Sequence, residues 1–332
     1  MAFELQAYPE ASFADRLQYL DILRQLNDAG YTKYLTQVEE DAAKKPADLA
    51  ALLSWMNRNG MGLIAVDFSR SLPADRLQEW PVPMALAGSY TNVKDWPSLE
   101  KLTAIGSWNN FEFLRHAYLA RACREQDKLV KAEGEWAAAR KFGESEAQHL
   151  MLAETVSEWG WNKETDELLW ELTKRSESEA QALQTLYERY TRMGDAGGLY
   201  KVLSRLLEIR PKDLTVKNNF AQIALLLKVD VKQAQKIAAD LHRQEPTNAG
   251  FTSTYAFALY RDGKADQAAQ LMATLSSGQL KDPALSFYYG VFLAAAGDSE
   301  KAKGFLQAGA NSPMFPEERD LFAEAKRRAQ MQ

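Results

Sequence analysis

Residues Tyr288 to Leu306 read YYGVFLAAAGDSEKAKGFL. Tyr289 and Leu293 stand eight and four positions before Gly297, and Phe305 stands eight after it. A spacing of four stacks side chains on one face of a helix, because 3.6 residues make one turn. Gly290 and Ala302 are small at seven before and five after the glycine, where two helices packed closely have no room for bulk. The stretch therefore predicts two amphipathic helices folded back on one another about Gly297.

The same arrangement recurs along the whole chain. Turn residues Gly30, Gly60, Lys94, Asp127, Gly160, Gly194, Val229, Gly263 and Gly297 follow one another at separations of 30 to 35 residues, the mark of an internal repeat. Eight before each stand Ile22, Leu52, Leu86, Leu119, Leu152, Leu186, Ala221, Tyr255 and Tyr289. Four before each stand Leu26, Met56, Tyr90, Cys123, Val156, Tyr190, Leu225, Leu259 and Leu293. Apolar residues also hold the position eight after the turn, Glu135 excepted, and apolar or small residues the position twelve after, ending at Gly309. Pro46, Pro211, Pro246, Pro283 and Pro313 punctuate the exits, since proline starts or ends a helix without continuing one. Nine helix pairs are predicted.

A small residue in the first helix, a turn glycine, an alanine five on and an exit proline, in a unit of about 34 residues, resemble the tetratricopeptide repeat (TPR). YAFALYRDGKADQAAQLM (Tyr255 to Met272) and the opening stretch are most similar to it. The family's usual tryptophan near the start of the first helix is missing, and Lys94, Asp127 and Val229 replace the turn glycine. The resemblance implies an all-α fold, a right-handed α-α superhelix. Residues 1–312 are read as the solenoid, with a kink near the proline-rich segment 69–83, and residues 313–332 as a C-terminal capping helix whose Phe315, Leu321 and Phe322 face the last repeat. One such pair has too little core to stand alone, so neighbours must stack in single file.

Composition narrows the function classes. The chain has 332 residues, 46% of them apolar, and a formal charge of -5, so it buries a large core and offers no global positive field to nucleic acid. Cys123 is the only cysteine, which excludes an internal disulfide framework and a multi-thiolate metal site. His116, His149 and His242 lack metal-ligand spacing, and no phosphate-cradling glycine loop or nucleophile elbow occurs. Neither a metal nor a cofactor is expected. No apolar run suits a membrane span and the start lacks the order of a signal peptide, so no membrane insertion is expected. The compartment stays open, with the cytoplasm favoured and a piece of a larger anchored or exported protein as the other reading.

In TPR proteins the first helix of each pair lines the inner wall, which implies a groove for an extended peptide or a partner helix. Mapped here, that wall carries Arg121, Arg124, Glu154, Glu158, Glu188, Arg192 and Asn219, then an aromatic end at Phe257, Tyr260, Arg261 and Phe287. VSEWGWNKETDELLWEL (Val156 to Leu172) adds Trp159, Trp161 and Trp170, none in a core column: either local packing or an exposed aromatic patch for a partner. Glu144 to Ala196 holds 12 acidic and 5 basic residues and Lys201 to Pro246 holds 5 acidic and 9 basic, an asymmetry that suits solvated helix faces or self-association. The expectation is a non-enzymatic scaffold that binds a protein or peptide in its groove. Two rivals stand beside it: a structural or oligomerising module of an envelope or secretion assembly, and an α/α-toroid glycoside hydrolase using Glu154, Glu158 or Glu188, which needs paired carboxylates in a deep pocket.

Overall fold

A computed structural model of the protein describes residues 12–330, and among them every regular element is helical. Nine hairpins follow one another: α1 (Phe13–Gln25) with α2 (Tyr31–Ala42), α3 (Pro46–Arg58) with α4 (Gly62–Arg70), α5 (Val82–Val93) with α6 (Trp96–Thr103), α7 (Glu112–Arg124) with α8 (Leu129–Phe142), and α9 (Glu146–Glu158) with α10 (Asn162–Leu172). Then come α11 (Glu179–Met193) with α12 (Ala196–Ile209), α13 (Leu214–Leu227) with α14 (Val231–Gln244), α15 (Ala249–Arg261) with α16 (Ala265–Met272), and α17 (Pro283–Ala295) with α18 (Ser299–Gly309). A final helix, α19, spans Pro316–Arg328. Between α4 and α5 the chain makes a single 3-10 turn, Arg76–Gln78. The chain forms two compact units, one ending at Leu168 and one beginning at Leu169.

One turn is built nine times. The residue that ends each first helix is left-handed: Asn27, Gly60, Lys94, Asp127, Gly160, Gly194, Lys228, Gly263 and Gly297. The amide of the next residue closes on a carbonyl five back, as in Asp28 to Leu23, Met61 to Met56, Asp195 to Tyr190, Val229 to Ala224 and Asp298 to Leu293, all at 2.9–3.0 Å. This is the Schellman closure, which satisfies carbonyls that the helix end would leave bare. In several hairpins the following aspartate then starts the second helix: Asp95, Asp195 and Asp298 accept from the amides of Ser98, Gly198 and Lys301.

Two turns lie elsewhere than the sequence pattern predicts. Gly30 is not the left-handed residue of the first hairpin; Asn27 is, three positions earlier, so Ile22 and Leu26 fall on the outside, with Leu26 70% exposed, and Leu23 takes the core position. In the seventh hairpin Lys228 replaces Val229. With those two corrections the turns recur at 33 to 35 residues throughout. The small-residue columns sit where they were expected: Ala87, Ala120, Ala153 and Ala256 on first helices and Ala65, Ala132, Ala234, Ala268 and Ala302 on second helices are all buried.

The first helices of successive hairpins pack on one another within each unit, α3 on α5 and α7 on α9 in the first, α13 on α15 and α15 on α17 in the second, and the second helices do not do so to that extent. These contacts set the first helices side by side on one face of each unit, the face that the resemblance implies is the inner one. Ion pairs tie neighbours together in the N-terminal unit. Glu100 on α6 holds Lys128 and Lys131 of the fourth hairpin at 2.5 and 2.8 Å, and they bring its carboxyl from 4.5 down to about 2. Because that value lies below the unfolded one, the stabilisation is full above pH 4.5 and is lost as pH falls through about 2. Acid titration followed by circular dichroism is expected to show a shallower loss of stability in that window for Glu100→Gln than for the parent; equal slopes count against the pairing.

Candidate functional site

The expected inner-wall residues divide by exposure. Glu154 and Glu158 on α9 and Glu188 and Arg192 on α11 are exposed. Glu188 accepts from Gln184 one turn away at 2.7 Å. Asn219 on α13 is half-buried and donates to the Tyr187 hydroxyl of α11 at 3.3 Å, which ties the inner faces of hairpins six and seven together. Exposure of all three candidate carboxylates places none of them in the deep, paired arrangement that glycoside hydrolysis uses.

Arg121 and Arg124 are half-buried and held by aromatic neighbours. The Arg121 guanidinium lies between two indoles, 5.3 Å from the Trp96 ring centre and 4.7 Å from that of Trp159. Arg124 sits 3.6 Å over Trp161 and bonds to Glu164 at 2.7 Å. Cation–π contact and partial desolvation hold both side chains within the stack. The tryptophans are packing elements as well. Trp161 is buried, 5.8 Å from Trp136 and 5.4 Å from Trp159, both edge-on, while Trp159 also meets Tyr118 at 5.0 Å. Trp170 is half-buried and donates its indole N–H to Tyr190 Oη at 3.1 Å. The expectation of an exposed patch is corrected for Trp161: residues flanking one turn meet those of the neighbouring hairpin, and the indole fills the space between.

A second correction concerns the aromatic end. Phe257 and Phe287 are each 1% exposed. Phe257 packs against Tyr288 at 5.1 Å, and Phe287 against Tyr288 at 4.7 Å and Phe322 of α19 at 6.0 Å. Phe292 of the next hairpin flanks Phe257 at 6.3 Å, and the last helix covers Phe287. α19 packs on α17 and α18 as a further helix of the stack and also reaches α13, two hairpins back from α17. Glu318, buried on its inward side, accepts from the Tyr288 hydroxyl and from the Phe315 amide, and Tyr288 in turn takes a bond from Gln222 of α13. Burial pushes the Glu318 carboxyl up, and the hydrogen bond from Tyr288 draws it part of the way back. Burial beside that carboxylate keeps the Tyr288 phenol well above its ordinary value, so it donates at any working pH.

Tyr260 and Arg261 remain at the surface, half-buried. The Arg261 guanidinium closes the end of α13 by donating to the carbonyls of Leu225 and Leu226 at 2.9 and 3.1 Å, and rests 4.8 Å from the Phe257 ring centre. A cation at a helix C-terminus complements its negative end. Two adjoining cavities of about 500 and 560 Å³ open here, sharing Lys228, Tyr260 and Arg261 as walls. The first is closed on its other side by α19 through Glu317, Asp320 and Glu324; Arg328 lines the second. Periodicity could not have revealed this cleft, because it depends on a contact between helices three hairpin-lengths apart.

Among the described residues no helix is long and apolar enough to cross a membrane, and no group of three histidine, cysteine or acidic side chains is placed to hold a metal. His116 bonds to Glu135 at 2.6 Å and stacks on Phe142, while His242 Nδ1 meets Thr252 Oγ1 at 3.2 Å.

Nine hairpins with one turn geometry, first helices packed on one another and paired columns of small residues define an all-α array of TPR-like helical hairpins. No family model matches the chain, and no curated protein does. Solved structures similar to it include a tetratricopeptide repeat protein from Parabacteroides merdae (14% identity, 75% of this chain and 97% of that one, TM-score 0.39). The Cut9-Hcn1 hetero-tetramer of APC/C (13% identity, 96% and 71%, TM-score 0.34) and yeast Tom70 (11% identity, 95% and 78%, TM-score 0.26) are others. The fold assignment rests on the hairpins themselves.

Proposed function

We propose that this chain is a non-enzymatic scaffold that binds a protein or peptide on the inner faces of its hairpins. The observation that carries the reading is the inner face of the C-terminal unit. There first helices are cross-tied by Tyr187 to Asn219 and by Arg261 to the carbonyls of α13, and α19 packs against α17 and reaches α13. A wall whose side chains are already held by neighbours loses little order when a ligand arrives, so contacts made there are not offset by folding cost. Exposed Glu188 and Arg192 extend the same face with both signs of charge, which favours orientation of a partner over bulk attraction.

The experiment is site-specific photo-crosslinking in the native cell. A photoreactive residue at Glu188 or Arg192, on the first helix of hairpin six, is expected to yield covalent adducts with a discrete partner. The same residue at exposed Lys232 or Lys236 on α14 is expected to yield none. Adducts from the second helices alone would overturn the reading in favour of an assembly module that uses its flanks.

A further inference from the structure

The terminal helix does more than close the stack. Along α19, Pro316 lies beside the turn of hairpin six, where a Cβ on Gly194 would sit 3.7 Å from the proline Cδ. Its middle faces the ends of α13 and α15 across the cavity walled by Leu226, Lys228 and Tyr260. Phe322 meets Phe287, and the Ser299 hydroxyl of hairpin nine donates to the Arg328 carbonyl at 3.4 Å. One short helix thus packs on hairpins seven and nine, with its start beside the turn of hairpin six and a cavity between it and hairpin eight. Its Arg327 and Arg328 come last: Arg327 shares the first cavity with the ends of α13 and α15, and Arg328 the second with the ends of α15 and α17, where helix dipoles are negative.

The inward face has a simple pattern: Glu318, then Leu321, Phe322 and Ala325 at three, four and seven residues on. Glu318, Leu321 and Ala325 are buried, and Glu318 makes the polar anchor to Tyr288. The fit is incomplete on the flank. Glu317, Asp320 and Glu324 border the cavity of about 500 Å³ without filling it. Glu317 Oε2 is shut off from solvent with no hydrogen-bond partner, which costs free energy that a better-matched side chain would not. The connection from α18 is residues 310–315, with Asn311 and Pro313 exposed.

We propose that this trough is a receptor for an amphipathic helix, that residues 316–328 occupy it in cis, and that a partner helix displaces them. The partner carries a carboxylate followed by apolar residues at plus three, plus four and plus seven, with larger apolar side chains where this chain has Asp320 and Glu324. The proposal rests on the scaffold reading and names its partner class. The filled cavity supplies the difference in affinity that exchange requires, since a ligand shifts an equilibrium only by its differential binding.

Two labelled synthetic peptides test it on the full chain: one with the sequence of residues 312–330, and one in which the positions of Asp320 and Glu324 are leucine. In the chain with Leu321→Asp and Phe322→Asp, whose own helix is undocked, the first peptide is expected to bind at least tenfold more tightly than to the parent. Adding Tyr288→Phe to that variant is expected to remove most of the gain. Independently of whether that variant folds, saturating leucine peptide added to the unaltered chain is expected to raise amide exchange over 316–328 at least tenfold and leave α13 and α15 protected. Unchanged protection there, or equal binding of the first peptide to parent and variant, overturns the proposal. Dimerisation of the undocked variant without peptide would seat a second copy in the trough and overturn the choice of partner. Crosslinks from Glu188 and Arg192 that persist when the peptides fail would leave the scaffold reading standing, whereas loss of both would end it.

Discussion

Gly309→Val is expected to cost about 3 kcal/mol or more of local stability in the last hairpins, at the upper end of what overpacking does. Gly309 closes α18 where it crosses the start of α17. A Cβ there would meet the Cα and N of Phe287 at 2.6 Å, and backbone cannot rotate out of the way as a side-chain tip can. The same crossing is tight at its other end, where a Cβ on Gly290 would come within 2.8 Å of the Leu306 amide. α17 and α18 therefore approach each other as closely as glycine allows, and any branched side chain at either point levers them apart. The control lies in the same helix: Gly304 has nothing within 4 Å of its would-be Cβ, so Gly304→Ala is expected to stabilise by about 0.5–1 kcal/mol through the unfolded chain's lost freedom. Urea unfolding read by amide exchange in α17 and α18 checks both signs.

Trp161→Ala is the second large effect, expected to destabilise by about 4 kcal/mol, in the range found for truncating a buried aromatic. The indole is 7% exposed and joins hairpins four and five through Trp136, Trp159 and Arg124. Truncation leaves the Arg124 guanidinium without the ring beneath it, so its pairing with Glu164 becomes more solvated and weaker. Trp161→Phe is expected to restore roughly half of the loss by returning ring volume. If Trp161→Ala unfolds with the parent's midpoint, the indole is not the packing element described, and the exposed-patch reading returns.

The nine-fold repeat was legible because it rests on local rules: a 3.6-residue period, small residues where helices cross, and a left-handed turn. Where it was misread, the cause is also local. Gly30 attracts the eye as the turn, yet asparagine tolerates the left-handed region, and Asn27 takes that role. Lys228 does so too, held by the Val229 amide bonding to Ala224. The site was less legible. Phe287 and the anchor Glu318 are buried where α19 lies against α17, and α19 also reaches α13 about a hundred positions back, contacts that no repeat column encodes, while Phe257 is buried among Tyr288 and Phe292 of the next hairpin. Leu321 and Phe322 are legible as the apolar side of the last helix; the burial of the charged Glu318 beside them, and the receptor that holds it, are not.

Native-state hydrogen exchange on the intact chain carrying Gly309→Val tests the central claim that hairpins are stabilised by their immediate neighbours. Protection is expected to fall in α15 through α19 and to be unchanged in α1 through α8. A uniform loss across all nine hairpins would mean one cooperative globule and would contradict the account.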